Sequence, residues 1–111
     1  MSYNRHTSKS EIELGLLQMQ VLWLLKKPTH GYELMKRLNE LKTTKITQGT
    51  LYPTLQRLEE LKLITSKTED RKKIYKLTEK GKKTMKDSCS DFCKTFHGIF
   101  EDYVCHKCEC H

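Results

Sequence analysis

The last 23 residues of this 111-residue chain hold eight side chains able to ligate a soft or borderline metal: Cys89, Cys93, His97, Cys105, His106, Cys108, Cys110 and His111. No cysteine precedes Cys89. Cys89, Cys93 and His97 recur at i, i+4 and i+8, along one edge of a helix, where neighbouring Cβ atoms lie about 5–6 Å apart. Cys105-His106-Lys107-Cys108 is a C-x-x-C knuckle, a common half-site for zinc or an iron–sulfur cluster. Two thiolates from the helix (Cys89, Cys93) and two from the knuckle (Cys105, Cys108) are enough to close a tetrahedral zinc site or hold a cluster. The same thiols could form a redox-switched disulfide, or lie inert. Five is odd, so one chain cannot pair them all. Whether Cys110, His97, His106 or His111 joins a site is open. There is no G-x-S-x-G, P-loop or H-E-x-x-H, and the carboxylates are scattered, so no enzyme is expected.

The second chemistry is cationic. The chain carries 21 Lys and Arg against 14 Asp and Glu, a net of +7. Residues 1–86 hold 19 basic and 9 acidic side chains (+10), and residues 87–111 hold 2 and 5 (−3). A basic body of this kind suits a polyanion, above all double-stranded DNA, whose phosphates give a large salt-dependent share of affinity. A lysine-rich solvated surface is the plain alternative. On a helical wheel Leu51, Leu55 and Leu58 share one face; Gly49, Pro53, Gln56 and Arg57 lie opposite, with Thr50 and Tyr52 on the flanks and Gln48 just before. That outer face offers an amide, a phenol and a guanidinium, groups that read base edges or bind phosphate. Otherwise it is a solvated face on which Arg57 pairs with Glu59 or Glu60. A regular helix is expected from near Thr50, after a tight turn at Gly49. Lys67, Arg71, Lys72 and Lys73 form a second cluster within residues 65–83, which hold eight basic and three acidic side chains (+5).

These groups need a scaffold. At 13.2 kDa, with 36% hydrophobic residues and a mean hydropathy of −0.72, the chain fits one small polar domain. Its longest apolar run, Val21 to Leu25, is too short for a membrane span or signal peptide; a cytoplasmic location without membrane contact is expected. Residues 1–9 read as a flexible N-terminus. Ser10 and Glu13 form a capping box, and Ile12, Leu16, Met19 and Trp23 make a helical stripe ending at Lys26-Lys27-Pro28. Thr29 can cap a second helix with Tyr32, Leu34, Met35, Leu38 and Leu41. His30 reads as a capped structural histidine, and Trp23 and Tyr32 as core aromatics. The third helix runs to about Lys62. Residues 63–67 and 73–77 are β-compatible, with a polar turn over 67–72. Three helices followed by a hairpin is the order of a winged helix-turn-helix. The expected class is mainly α with a small β-hairpin: a winged-helix DNA-binding domain over 10–78, a dimerisation helix over 79–104 and a Cys/His-rich tail over 105–111.

Three segments carry a resemblance. Thr29-His30-Gly31-Tyr32-Glu33-Leu34, then Gly49-Thr50-Leu51-Tyr52-Pro53-Thr54-Leu55-Gln56-Arg57-Leu58-Glu59 followed by Leu63-Ile64, and Lys73-Ile74-Tyr75-Lys76-Leu77-Thr78-Glu79-Lys80-Gly81 are similar to the hallmark segments of PadR-family transcriptional regulators. The likeness covers about residues 10 to 83. It implies a winged-helix dimer that binds operator DNA, usually as a repressor, with the C-terminal helix forming much of the dimer interface. Met85, Cys89, Phe92, Phe96, Ile99 and Tyr103, spaced 4, 3, 4, 3 and 4, make a seam suited to the same helix of a second subunit. Two departures stand out. The wing turn carries Glu69-Asp70 where members commonly place a glycine, and the C-terminal helix lacks the tryptophan with which some relatives sandwich aromatic ligands. The function implied is a dimeric, sequence-specific regulator, with a metal or redox response as a further expectation because the cysteines adjoin the dimer helix. The competing reading is a small metal or iron–sulfur protein whose basic body docks an acidic protein.

Overall fold

The structure, a computed structural model, describes residues 15–41 and 46–105, the last two by their backbone alone. The capping box at Ser10 and Glu13, the stripe residue Ile12 and the tail from His106 onward lie outside the described residues.

Helix α1, described over residues 15–24, turns a different stripe inward from the one expected. Leu17, Val21, Leu22 and Leu25 are buried, whereas Leu16 and Trp23 are 39% and 41% exposed. Leucine, valine and methionine occur on nearly every side of this helix, so spacing alone gave two possible faces; packing chose the slimmer aliphatic one. Trp23 lies outside, with the Lys26 ammonium 4.4 Å from its ring centre.

Thr29 does not cap a helix. Thr29–His30 is a short strand, β1, and the Thr29 hydroxyl donates to the Lys27 carbonyl at 2.8 Å. α2 (Gly31–Leu41) follows directly and buries Leu34 and Leu38. Tyr32, expected in the core, is 77% exposed. The far end of α2 is tied to the next helix by Asn39, whose Oδ1 accepts from the Ile46 N–H at 2.7 Å.

α3 (Gln48–Glu60) begins at Gln48 rather than Thr50, and Gly49 lies in its first turn, not in a tight turn before it. The Thr47 carbonyl accepts from the N–H groups of Thr50 and Leu51, both at 3.0 Å. Pro53 is the sixth helical residue, so the Gly49 carbonyl loses its donor; Gly49 is exposed and water can replace it. The inner face is Leu51, Thr54, Leu55 and Leu58. Leu61, expected to continue that stripe, caps the helix and is 37% exposed. Lys62 then takes φ 65° while Leu63 N–H bonds to Leu58 O and Lys62 N–H to Glu59 O, the paired bonds of a Schellman stop.

β2 (Ile64–Glu69) and β3 (Lys72–Leu77) are antiparallel, with Glu69 opposite Lys72. The connection is therefore two residues, Asp70 and Arg71, not the longer turn expected. Both have positive φ (51° and 68°), as a type I′ hairpin turn demands. β1 adds to the free edge of β3, pairing Thr29 with Tyr75, so the hairpin becomes a three-stranded sheet in the order β1-β3-β2.

α4 (Glu79–Thr95) is capped by Thr78, whose Oγ1 accepts from Gly81 N–H at 2.9 Å and donates to the Lys62 carbonyl at 2.6 Å. The expected single helix over 79–104 is broken. Phe96 leaves helical geometry (φ −106°, ψ 15°), a short α5 (His97–Phe100) follows, and Glu101–Cys105 is a π-helical turn. Thr95, Phe96, His97 and Gly98 are consecutive weak helix formers, which explains the position of the break. One core joins the parts: Leu17, Val21, Leu34, Leu38, Leu51, Leu55, Leu58, Tyr75 and Met85 all belong to it.

Candidate nucleic-acid interface

The aliphatic face of α3 is buried, so the opposite face is presented outward by necessity. Gln48, Gly49, Tyr52, Pro53, Gln56 and Arg57 are exposed there, and Thr50 is half-buried at the flank. Arg57 Nη1 lies 3.8 Å from Glu60 Oε1, with both side chains about three-fifths exposed. That separation is too long for a charge-assisted hydrogen bond, and a solvated pair of this kind holds the guanidinium weakly. Arg57 is thus available to a base edge or phosphate. Gln56 makes no side-chain hydrogen bond among the described residues. Pro53 and Gly49 keep the start of this face low in profile.

The wing brings the second cationic group. Lys67 is paired with Glu69 at 3.1 Å, on an exposed strand. Arg71, Lys72 and Lys73 make no ion pair among the described residues; Lys73 Nζ lies 5.9 Å from the centre of the Tyr75 ring. The positive φ of Asp70 and Arg71 turns the strands tightly, and the cations follow at the hairpin's end.

Tyr52 does not simply face outward. A Cβ placed on Gly31 would meet its hydroxyl at 3.4 Å and the Tyr75 ring at 3.6 Å, so α2, α3 and β3 meet at that glycine. Burial first, then the Glu59 carboxylate and Tyr52, push the Tyr75 hydroxyl above the ordinary tyrosine range and keep it protonated. Glu59 also accepts from the Ser66 hydroxyl at 2.8 Å, which braces α3 against β2. His30, exposed rather than structural, lines an open cleft together with Tyr32, Tyr52, Arg71, Lys72 and Lys73. The sequence reading missed His30 and Tyr32 as surface groups beside the wing; the Thr29–Tyr75 strand pairing that places them there has no local signal.

Among the cysteines, only Cys89 and Cys93 have described side chains. Cys89 is half-buried against the core, and Cys93 is exposed. Burial pushes the Cys89 thiol up, Cys93 adds to this, and Lys26 partly opposes it. Cys93 shares a shallow surface groove with Lys94 and His97, across the Phe96 break. His97 Nε2 lies 3.1 Å from Glu101 Oε2. Among the described residues no group of three metal-ligating side chains converges. Cys108 lies outside the described residues, as does the Cys105 side chain.

The C-terminal seam divides in two. Met85 is 8% exposed within its own chain's core, so its burial needs no second subunit. Phe92 is half-buried and packs against Phe96 at a tilt (ring centres 4.7 Å apart) and edge-to-face against Phe100 (6.0 Å). Phe96, Ile99, Phe100 and Tyr103 are exposed, by 38%, 54%, 38% and 68%. No described helix is long and apolar enough to cross a membrane.

Comparison with known proteins agrees with this geometry. A family model described as "Transcriptional regulator PadR-like family" matches residues 21–87. The protein named "Transcriptional regulator YqjI" from Escherichia coli K12 is 37% identical over 78 residues; the match covers 67% of this chain but only 38% of that protein. Among solved structures, a PadR-like transcription factor from Bacteroides fragilis superposes with a TM-score of 0.73 at 27% identity, covering 86% of this chain and 97% of that one. A PadR-family regulator from Eggerthella lenta gives 0.66 at 29% identity, covering 91% of each chain.

Proposed function

The chain belongs to the PadR-like family of transcriptional regulators, and from that premise we propose that it acts as a cytoplasmic homodimer that represses transcription by binding a specific operator. It is a DNA-binding regulator and not an enzyme. The observation that carries the finer reading is the outward face of α3, where, among the described residues, Gln56 and Arg57 have no strong partner and the neighbouring wing cations Lys72 and Lys73 make no ion pair. Such a face combines side chains suited to base edges with charges suited to phosphates. Selection of duplexes from a random pool tests it: enrichment of one motif with two half-sites about one helical turn apart supports the reading, and recovery of unrelated sequences refutes it.

Dimerisation is supported by the exposed apolar run Phe96, Ile99, Phe100 and Tyr103. Four large apolar side chains on one short stretch form a patch of the kind that marks an interface. Repression is the mode we favour, since a small dimer seated on an operator would exclude other proteins from that DNA. Introducing the operator upstream of a reporter, with and without the protein, distinguishes repression from activation.

The regulatory input we assign to the cysteines. Cys93 is accessible, and Cys105-His106-Lys107-Cys108 follows the dimer segment directly. Thiolates suit zinc or an iron–sulfur cluster, and they also oxidise. Cys89, half-buried with a raised thiol pKa, is less suited than the exposed Cys93. Serine at both Cys105 and Cys108 should leave operator binding intact and abolish its response to chelator or oxidant. Equal affinity of the wild-type protein under metal, chelator and oxidant would refute the assignment.

A further inference from the structure

Between the start of α2, the Tyr52 ring and the wing lies an open cleft of about 570 Å³. Its two walls are chemically distinct. One carries polar hydrogen-bonding groups, the Tyr32 hydroxyl and the His30 imidazole, both exposed. The other carries Arg71, Lys72 and Lys73, which have no carboxylate partner among the described residues. By contrast Lys67, on the same hairpin, is neutralised by Glu69. Glu33, the acid at the rim, is turned to Arg37, with Nε–Oε2 at 3.1 Å. The floor is tight, because Tyr52 and Tyr75 close on Gly31. Positive charge with hydrogen-bond donors around it, and the nearby acid already engaged, is a setting for an oxyanion.

Three elements of the DNA-binding unit meet at this cleft, so the oxyanion that reaches it when α3 engages a duplex is on the duplex. We propose that the cleft seats one backbone phosphate of each half-site, with Tyr32 and His30 as positioning residues beside Lys72 and Lys73. The contact fixes the angle at which α3 enters the groove and carries no sequence information itself. This rests on the reading that the chain binds a specific operator.

A coupling experiment tests it. Operator duplexes are prepared with one neutral methylphosphonate at each backbone position in turn. Each is titrated with the full chain as wild type, as Tyr32→Phe and as the double variant Lys72→Ala, Lys73→Ala. Loss of one charge-assisted contact should cost the wild type about tenfold at one position per half-site. At that position the double variant should lose little more, because its contact is already gone. Tyr32→Phe should weaken binding about threefold on every unmodified sequence with the salt slope unchanged, and that loss should vanish at the same phosphate. Tyr32 is exposed, and equal melting temperatures verify that the fold is kept. Losses that multiply independently at every phosphate, or a Tyr32→Phe protein that binds like wild type, overturn the proposal while leaving operator binding standing. A wild-type chain that prefers no sequence refutes the functional reading instead, and the two failures are distinct.

Discussion

Replacing Gly81 by alanine should cost this protein much of its stability, although alanine is the better helix former. Gly81 is in the first turn of α4, where the helix crosses the end of the Schellman stop. A Cβ there would overlap the Leu63 carbonyl oxygen and stand 2.9 Å from the carbonyl carbon and 3.3 Å from Cα. The obstacle is backbone, so no side-chain rotation relieves it. α4 must retreat by about 1 Å or more, since unbonded carbon and oxygen need roughly 3.3–3.6 Å between centres. That movement strains two bonds at the same junction, Thr78 N–H to Leu63 O (3.0 Å) and Thr78 Oγ1 to Lys62 O (2.6 Å). It also loosens Met85, which anchors α4 in the core. Two hydrogen bonds at about 1 kcal/mol each and a partial loss of Met85 burial of about 1–2 kcal/mol oppose a helix-propensity gain of about 1 kcal/mol. The net is about 2–3 kcal/mol, or roughly 10–20 °C in melting temperature for a domain of this size. Thermal denaturation followed by circular dichroism measures it. Gly15→Ala is the control: among the described residues nothing lies within 4 Å of its Cβ, so it should raise stability by about 0.5–1 kcal/mol. A Gly81→Ala protein as stable as the control would refute the close approach of α4 to Leu63.

Lys62→Gly should raise stability by about 1 kcal/mol in urea denaturation, because φ 65° penalises a side chain at this helix stop. The pair Asp70→Asn and Arg71→Gly should stabilise the hairpin by about 1 kcal/mol; if Arg71 neutralises a phosphate, the salt slope of DNA binding should fall by about 0.9. Arg57→Ala should alter the motif recovered in selection yet change stability by less than about 0.5 kcal/mol, since its 3.8 Å partner is solvated. Brief alkylation at pH 8, read by peptide mass mapping, should label Cys93 before Cys89, whose thiol is half-buried and harder to ionise.

Helices α2 and α3 were legible because their leucines have a single phase: Leu34 with Leu38, and Leu51 with Leu55 and Leu58, leave a polar remainder. α1 was misread at Leu16 and Trp23 because apolar residues surround that helix and periodicity then has no unique answer. β1 was invisible. Two residues cannot show alternation, and Thr29 is a strand only because Tyr75 lies opposite. The same pairing put His30 and Tyr32 beside the wing, which is why the cleft escaped a reading along the chain. At Phe96 two signals conflicted: the apolar spacing continued across it while the local helix propensity fell. The propensity decided the backbone, and the spacing survives in the Phe92, Phe96 and Phe100 cluster.

Fluorescence anisotropy across a salt series reads out sequence-specific DNA binding through α3 and the wing. The selected duplex and a scrambled duplex of equal length and composition are titrated with the full chain from 50 to 200 mM salt, a range over which phosphate contacts weaken steeply. Both affinities should fall with salt, and the selected duplex should stay at least about 10³-fold tighter at physiological salt. Equal affinity for the two duplexes throughout would contradict it, leaving only a basic surface.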